Sequence, residues 1–129
     1  MTELTILTPV YNRAKLLKNC YASLLAQTCF DFEWVVVNDG STDGTGALMR
    51  ELIAAEQPFP IQYIEKENGG KHTALNAAHP YIHGKYVLIL DSDDTLTEDA
   101  VEQALQAWSA WEKSPEIGLV ILLRGQTRG

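Results

Sequence analysis

Tyr86-Val87-Leu88-Ile89-Leu90-Asp91-Ser92-Asp93-Asp94 is the stretch on which the fold reading turns. A short apolar run bounded by polar residues reads as a buried strand, and the carboxylates after it then emerge at the strand's carboxyl end. In an open α/β sheet that rim is where ligands sit. Clustered carboxylates repel one another, and a hard divalent cation with oxygen ligands relieves the repulsion. The competing reading is a helix cap, because Thr97-Glu98-Asp99 supplies an acidic first turn before the helical stretch from Ala100 to Trp111. Capping needs one such residue, and Thr95 or Thr97 already provides it. A metal site at Asp91, Asp93 and Asp94 is therefore preferred.

Outward from this stretch, apolar runs alternate with amphipathic ones. Strands are expected at residues 4–8, 33–38, 61–65, 86–90 and 117–123. Helices are expected at 14–27, at 71–78, at 97–112, and from a cap at Ser41 or Asp43 to about residue 55, where Pro58 and Pro60 follow. In the first helix Leu16, Leu17, Cys20, Leu24 and Leu25 fall on one face. Trp34-Val35-Val36-Val37 is apolar throughout, as a strand covered on both faces must be. This alternation implies βαβ units: an α/β fold with a mostly parallel sheet flanked by helices on both faces.

Its 129 residues fit a single domain, expected to span residues 1–129, with no internal repeat or linker. The longest clean apolar stretch, within residues 117–123, is far too short to span a bilayer, and Met1-Thr2-Glu3 does not open a secretory signal. The expected location is the cytoplasm, including the inner face of the membrane. Cys20 and Cys29 are expected as free thiols. A net charge of −7 argues against a nucleic-acid partner, which needs a basic footprint. An anionic ligand would have to be held by a metal ion, helix amino-termini and a few local cations, of which Arg13 and Lys71 are the best placed.

Three further segments lie where strands should end. In Thr8-Pro9-Val10-Tyr11-Asn12-Arg13, Pro9 lacks a ladder donor, so the chain is expected to leave the sheet there. Tyr11 is then either a ring on which a base stacks or a packing tyrosine in a turn. In Asn38-Asp39-Gly40-Ser41-Thr42-Asp43-Gly44-Thr45, small residues allow close backbone approach. Asp39 there either accepts hydrogen bonds from a base or ribose, or belongs to an Asx turn. Asn68-Gly69-Gly70-Lys71 opens a helix after a strand, and an ammonium at that position opposes the helix dipole unless an anion lies between them. The other reading of Lys71 is a solvated lysine.

Sharper motif readings fail. A calcium loop needs Glu where Arg50 stands, a dinucleotide fingerprint needs Gly at Met49, and a phosphate loop needs Gly at Glu65 and a hydroxyl at His72. Pro80 between His79 and His83 breaks the helix that a histidine metal pair would need. Trp108 and Trp111 read as packing faces.

Taken in order, Thr8–Arg13, Val35–Asp43, Asn68–Lys71 with Ala74-Leu75-Asn76, and Leu90–Asp94 resemble the motifs of the inverting glycosyltransferases of family two, whose nucleotide-binding half has the GT-A fold. The resemblance implies a sugar donor activated as a nucleotide diphosphate, with a UDP-sugar the expected form, and a saccharide or lipid-linked acceptor in cell-wall or polysaccharide synthesis. It places Pro9, Val10 and Tyr11 around the base, Asp39 in hydrogen bonds to it, and Arg13, Lys71, Asp91 and Ser92 near the rest of the nucleotide. Asp93 or Asp94, with Asp91, would hold Mn2+ or Mg2+ on the diphosphate. The catalytic base of the family is expected beyond Gly129, so the chain is expected to be the donor-binding part of a larger enzyme or a truncated form of one. A homodimer covering the sheet is a further expectation. Two other readings compete: a nucleotidyltransferase, whose basic loop is represented here only by Arg13 and Lys15, and a non-catalytic nucleotide-sugar-binding module.

Overall fold

The computed structural model describes residues 4–111 and 120–122, with side chains for residues 4–107. The described residues form β1 (Leu4–Val10), α1 (Ala14–Leu25), β2 (Phe32–Asp39), α2 (Thr45–Ala54), β3 (Ile61–Lys66), α3 (Lys71–Ala78), β4 (Tyr86–Ile89), α4 (Ala100–Trp111) and β5 (Val120–Leu122). A 3-10 turn, His79–Tyr81, follows α3. The strands make one five-stranded parallel sheet in the order β3-β2-β1-β4-β5. The chain builds outward from β1 through β2 to β3, then returns to the other side of β1 with β4. The carboxyl ends of β1 and β4 therefore border the switch point of the sheet, where α/β folds bind ligands.

Both faces are covered, as the strand composition requires. On one face Leu4 and Ile6, Phe32, Trp34 and Val36, and Tyr86 and Leu88 alternate inward to meet Leu17, Cys20 and Leu24 of α1, Met49 of α2 and Val101 of α4. On the other, Leu7, Val35 and Val37 pack on Ala74 and Ala78 of α3. Full burial of a side chain such as Ile6 or Leu88 contributes about 1.5–3 kcal/mol, so the first, larger cluster holds most of the apolar stabilisation. Its polar member is satisfied: the Trp34 indole N–H donates to Thr8 Oγ1 at 2.9 Å, and the ring stacks on Tyr21.

Several sequence expectations need correction. The first strand does not stop before Pro9; it runs to Val10, with Pro9 opposite Val37. Leu90 N–H donates to Leu7 O, so alternate residues of β1 face β4, and Pro9 faces the same way. Pairing with β4 ends at Leu7 and Ile89, so the missing donor costs no hydrogen bond. Of the five apolar positions assigned to one face of α1, only Leu17, Cys20 and Leu24 are buried; Leu16 and Leu25 are exposed at the margins of the stripe. The fourth helix begins at Ala100 rather than Thr97, because Thr97–Asp99 form a turn in which Thr97 O accepts from Ala100 N. Expectations for residues 112, 117–119 and 123, and for the side chains of Trp108 and Trp111, fall outside what is described. Cys20 and Cys29 are free, and no described helix is long and apolar enough to cross a membrane.

At the amino ends of the strands, away from the switch point, Glu33 is buried yet fully partnered. Its carboxylate accepts from Thr5 Oγ1 at 2.6 Å and His83 N at 2.7 Å, and contacts His83 Nδ1 and Gln62 Nε2. Thr5 Oγ1 in turn accepts from Gly84 N, so one carboxylate ties the crossover after α3 to the sheet. Burial pushes the Glu33 carboxyl up, but these hydrogen bonds outweigh it and hold it below its ordinary value of 4.5. A depressed folded-state value adds stability above the unfolded value, which disappears as pH falls through the folded one. Glu33→Gln is expected to cost about 1–3 kcal/mol at neutral pH in urea denaturation. It should also flatten the loss of stability below about pH 4.5. An unchanged acid slope would exclude this role for Glu33.

Candidate functional site

A cleft of about 300 Å³ opens at the carboxyl rim between β1 and β4. It is lined by Pro9, Val10, Tyr11, Arg13, Asp39, Lys71, Asp91, Ser92 and Asp93. Every residue singled out from sequence as nucleotide-binding thus reaches one cavity. Val10 and Ser92 line it from buried positions, whereas Tyr11 is 47% exposed and offers its ring to the opening.

The first wall comes from the turn after β1. Asn12 has φ +52°, a left-handed conformation that Asn tolerates better than most residues. Its Oδ1 accepts from Thr42 N at 2.7 Å and Asp43 N at 3.2 Å, while its own N–H donates to Ser41 Oγ at 2.9 Å. Asp43 accepts from Ala14 N and from the backbone and hydroxyl of Thr45, and the Thr45 hydroxyl bond chiefly holds the Asp43 carboxyl below its usual value. The turns after β1 and β2 are therefore stitched together, which fixes Tyr11 and Arg13 at the rim.

Asp39 closes β2 and is 4% exposed. Its Oδ1 accepts from Lys66 Nζ at 2.8 Å and Gly69 N at 3.0 Å; its Oδ2 accepts from Gly70 N at 2.9 Å and, at 3.3 Å, from Asn68 Nδ2. Burial drives this carboxyl up, but the Lys66 and glycine hydrogen bonds, with the Lys66 charge, outweigh it and hold the carboxyl low. Lys66 also donates to Thr73 Oγ1 and Glu67 O. The Asn68-Gly69-Gly70 loop is consequently pinned to the end of β2 by one carboxylate. Gly40, at φ +76°, lets the loop approach: a Cβ there would lie 2.6 Å from Asn68 N.

The far wall carries the acidic tetrad. Asp91, Asp93 and Asp94 offer carboxylate oxygens all within 4.8 Å of one another, the only such group of three or more potential ligands among the described residues. Asp94 N donates to Asp91 O, so the segment forms its own turn, and Thr95–Asp99 separate it from α4. Capping of that helix does not explain the carboxylates. Three closely spaced hard oxygen donors are the set that Mn2+ or Mg2+ takes. Asp93 is exposed toward the cleft, whereas Asp94 is half-buried and absent from its lining. Lys71, the first residue of α3, pairs with Asp91 Oδ1 at 2.8 Å. Behind the tetrad, burial pushes the Cys20 thiol up to about 12, with the aspartates adding to the effect, so it is neither a nucleophile nor a thiolate ligand at neutral pH.

Asn12, Ser41 and Lys66 were not singled out from the sequence as site residues, although they position those that were. A short polar side chain in the turn after a strand was the available signal for Asn12. For Lys66 there was none, because its role arises from folding back on Asp39 across neighbouring strands. His79 and His83 join no metal-binding group among the described residues.

Residues 5–120 match the family model described as "Glycosyl transferase family 2". The chain is 42% identical over 100 residues to the glycosyltransferase GlyA of Streptococcus pneumoniae serotype 4, an alignment covering 78% of this chain and 14% of that protein. Among solved structures, S. aureus TarS 1-349 in complex with UDP superposes with a TM-score of 0.77 at 26% identity, over 84% of this chain and 32% of the other. The mannosyltransferase PcManGT from Pyrobaculum calidifontis, in complex with GDP-Man and Mn2+, gives a TM-score of 0.74 at 28% identity, over 88% and 33%. The chain thus spans a third or less of each of these proteins.

Proposed function

The chain belongs to glycosyl transferase family 2, and from that premise we propose that residues 1–129 form a single donor-binding unit of a metal-assisted, inverting transferase. The observation that carries this reading is the rim cleft itself, which gathers an exposed aromatic ring, two cations and the tetrad carboxylates Asp91 and Asp93 around one cavity. That is the inventory a nucleoside diphosphate sugar requires: a stacking surface for the base, cations for the phosphates and oxygen ligands for a divalent ion.

In this reading Tyr11 stacks on the base, with Pro9 and Val10 shaping the floor. Asp39 receives a base N–H in place of its longest contact, the 3.3 Å one from Asn68 Nδ2. Asn68 keeps its 3.0 Å bond to Asp39 O when that happens, so the exchange is cheap. Arg13 and Lys71 face the phosphates, and Asp91 and Ser92 lie toward the ribose. Asp93, aimed at the cleft, with Asp91 and Asp94 beside it, holds Mn2+ or Mg2+. Such an ion supplies Lewis-acid stabilisation of the departing diphosphate. The acceptor hydroxyl, from a saccharide or a lipid-linked sugar, attacks the anomeric carbon in one displacement and inverts it. The base that takes its proton is assigned to the portion of the enzyme outside this chain. UDP is the favoured nucleotide, supported by the complex formed by the TarS neighbour.

Isothermal titration with UDP, in Mn2+ and again with the metal chelated, tests the proposal. Binding should require the metal, with affinity falling about tenfold or more on chelation. Equal UDP affinity in both conditions, or none in either, would overturn it.

A further inference from the structure

The acidic tetrad already has a counter-ion within the chain. Lys71 Nζ lies 2.8 Å from Asp91 Oδ1, and among the described residues it is the one basic side chain paired with any of the three aspartates. Its own position is electrostatically awkward: as the first residue of α3 it sits at the positive end of the helix dipole, where a cation is disfavoured unless an anion lies beside it. Asp91 is that anion in the ligand-free protein. Both side chains are about half exposed, 50% and 41%, so the contact is easily exchanged. Lys71 and Asp91 also line the same cleft, within which a diphosphate would offer the ammonium a second anionic partner.

Resting on the donor-binding reading above, we infer that Lys71 is a counter-ion shared in turn by Asp91 and the donor's diphosphate, and that this exchange couples nucleotide binding to metal binding. Without nucleotide, Lys71 occupies an oxygen of Asp91 and opposes the approach of a second cation. When a diphosphate enters, its oxygens draw the ammonium away, the Asp91 oxygen becomes available, and the divalent ion is taken up more tightly. The coupling is reciprocal, since each ligand must strengthen the other by the same factor. Lys71 therefore acts as a positioning residue that makes the empty site a poor metal trap and the nucleotide-loaded site a good one.

The probe is Mn2+ alone, titrated calorimetrically at fixed ionic strength into the wild type, Lys71→Met and Arg13→Met, and repeated with saturating UDP. Lys71→Met should bind Mn2+ alone about two- to fivefold more tightly than the wild type, the size expected from removing one half-exposed charge contact. Arg13→Met removes a cation from the same cleft that makes no ion pair among the described residues, and should change Mn2+ affinity less than about twofold. UDP should tighten Mn2+ binding by a larger factor in the wild type than in Lys71→Met. Equal Mn2+ affinity in wild type and Lys71→Met overturns the inference, as does an equal gain in Arg13→Met, which would reduce the effect to net charge. Failure of the wild type to bind Mn2+ even with UDP defeats the donor-binding reading itself, and the inference with it.

Discussion

Asp93→Ala is expected to remove Mn2+-supported UDP binding while leaving the fold intact. Asp93 is exposed, lines the cleft and makes no ion pair among the described residues, so its truncation leaves no buried charge stranded. A hard cation held by few protein oxygens loses much of its affinity with one of them, and UDP binding in Mn2+ is anticipated to weaken by about tenfold or more, toward the level of the chelated wild type. Thermal unfolding should move little, as it does for exposed substitutions away from caps and networks. Asp94→Ala is the informative companion: its half-buried carboxylate lies outside the cleft lining, and the smaller loss belongs to it if Asp93 is the closer ligand. Wild-type UDP affinity in Mn2+ for both Asp93→Ala and Asp94→Ala would remove the metal from this reading altogether.

The largest expected loss of stability at the site comes from Gly40→Ala. Two costs combine there. At φ +76° an alanine sits in the left-handed region, which penalises any Cβ by roughly 1 kcal/mol. The added methyl would also stand 2.6 Å from Asn68 N and 3.0 Å from Asn68 Cβ, so the loop must retreat, at about 1–3 kcal/mol. Urea denaturation should register about 2–4 kcal/mol in total. Because the retreating loop carries the Gly69 and Gly70 amides that hold Asp39, UDP binding should weaken with it. A loss below about 1 kcal/mol would mean that the close approach at Gly40 is not needed.

Much of this architecture is readable one residue at a time. Period-two burial in Trp34-Val35-Val36-Val37 fails to alternate because both faces of β2 are covered, and that run alone predicts a central parallel strand. The aspartates after Leu90 predict a carboxyl-rim cluster because strand ends leave such residues nowhere else to go. What sequence leaves hidden is what depends on neighbours distant in the chain. Whether Pro9 ends a strand turns on how far β4 extends beside it, and Leu16 and Leu25 drop from the core because the sheet meets only a narrow stripe of α1. Lys66 cannot be recognised in advance either, since its partners Asp39 and Thr73 are brought to it only by the folded topology.

The saturation of Asp39 by Lys66, Gly69, Gly70 and Asn68 bears on how the cleft discriminates. A glycine-rich segment left free would sample many shapes and mould itself to whatever arrived, and each visitor would have to offset that lost freedom. Tethered in advance, the segment presents one contour to every comer, and selectivity falls to fit rather than to adaptation.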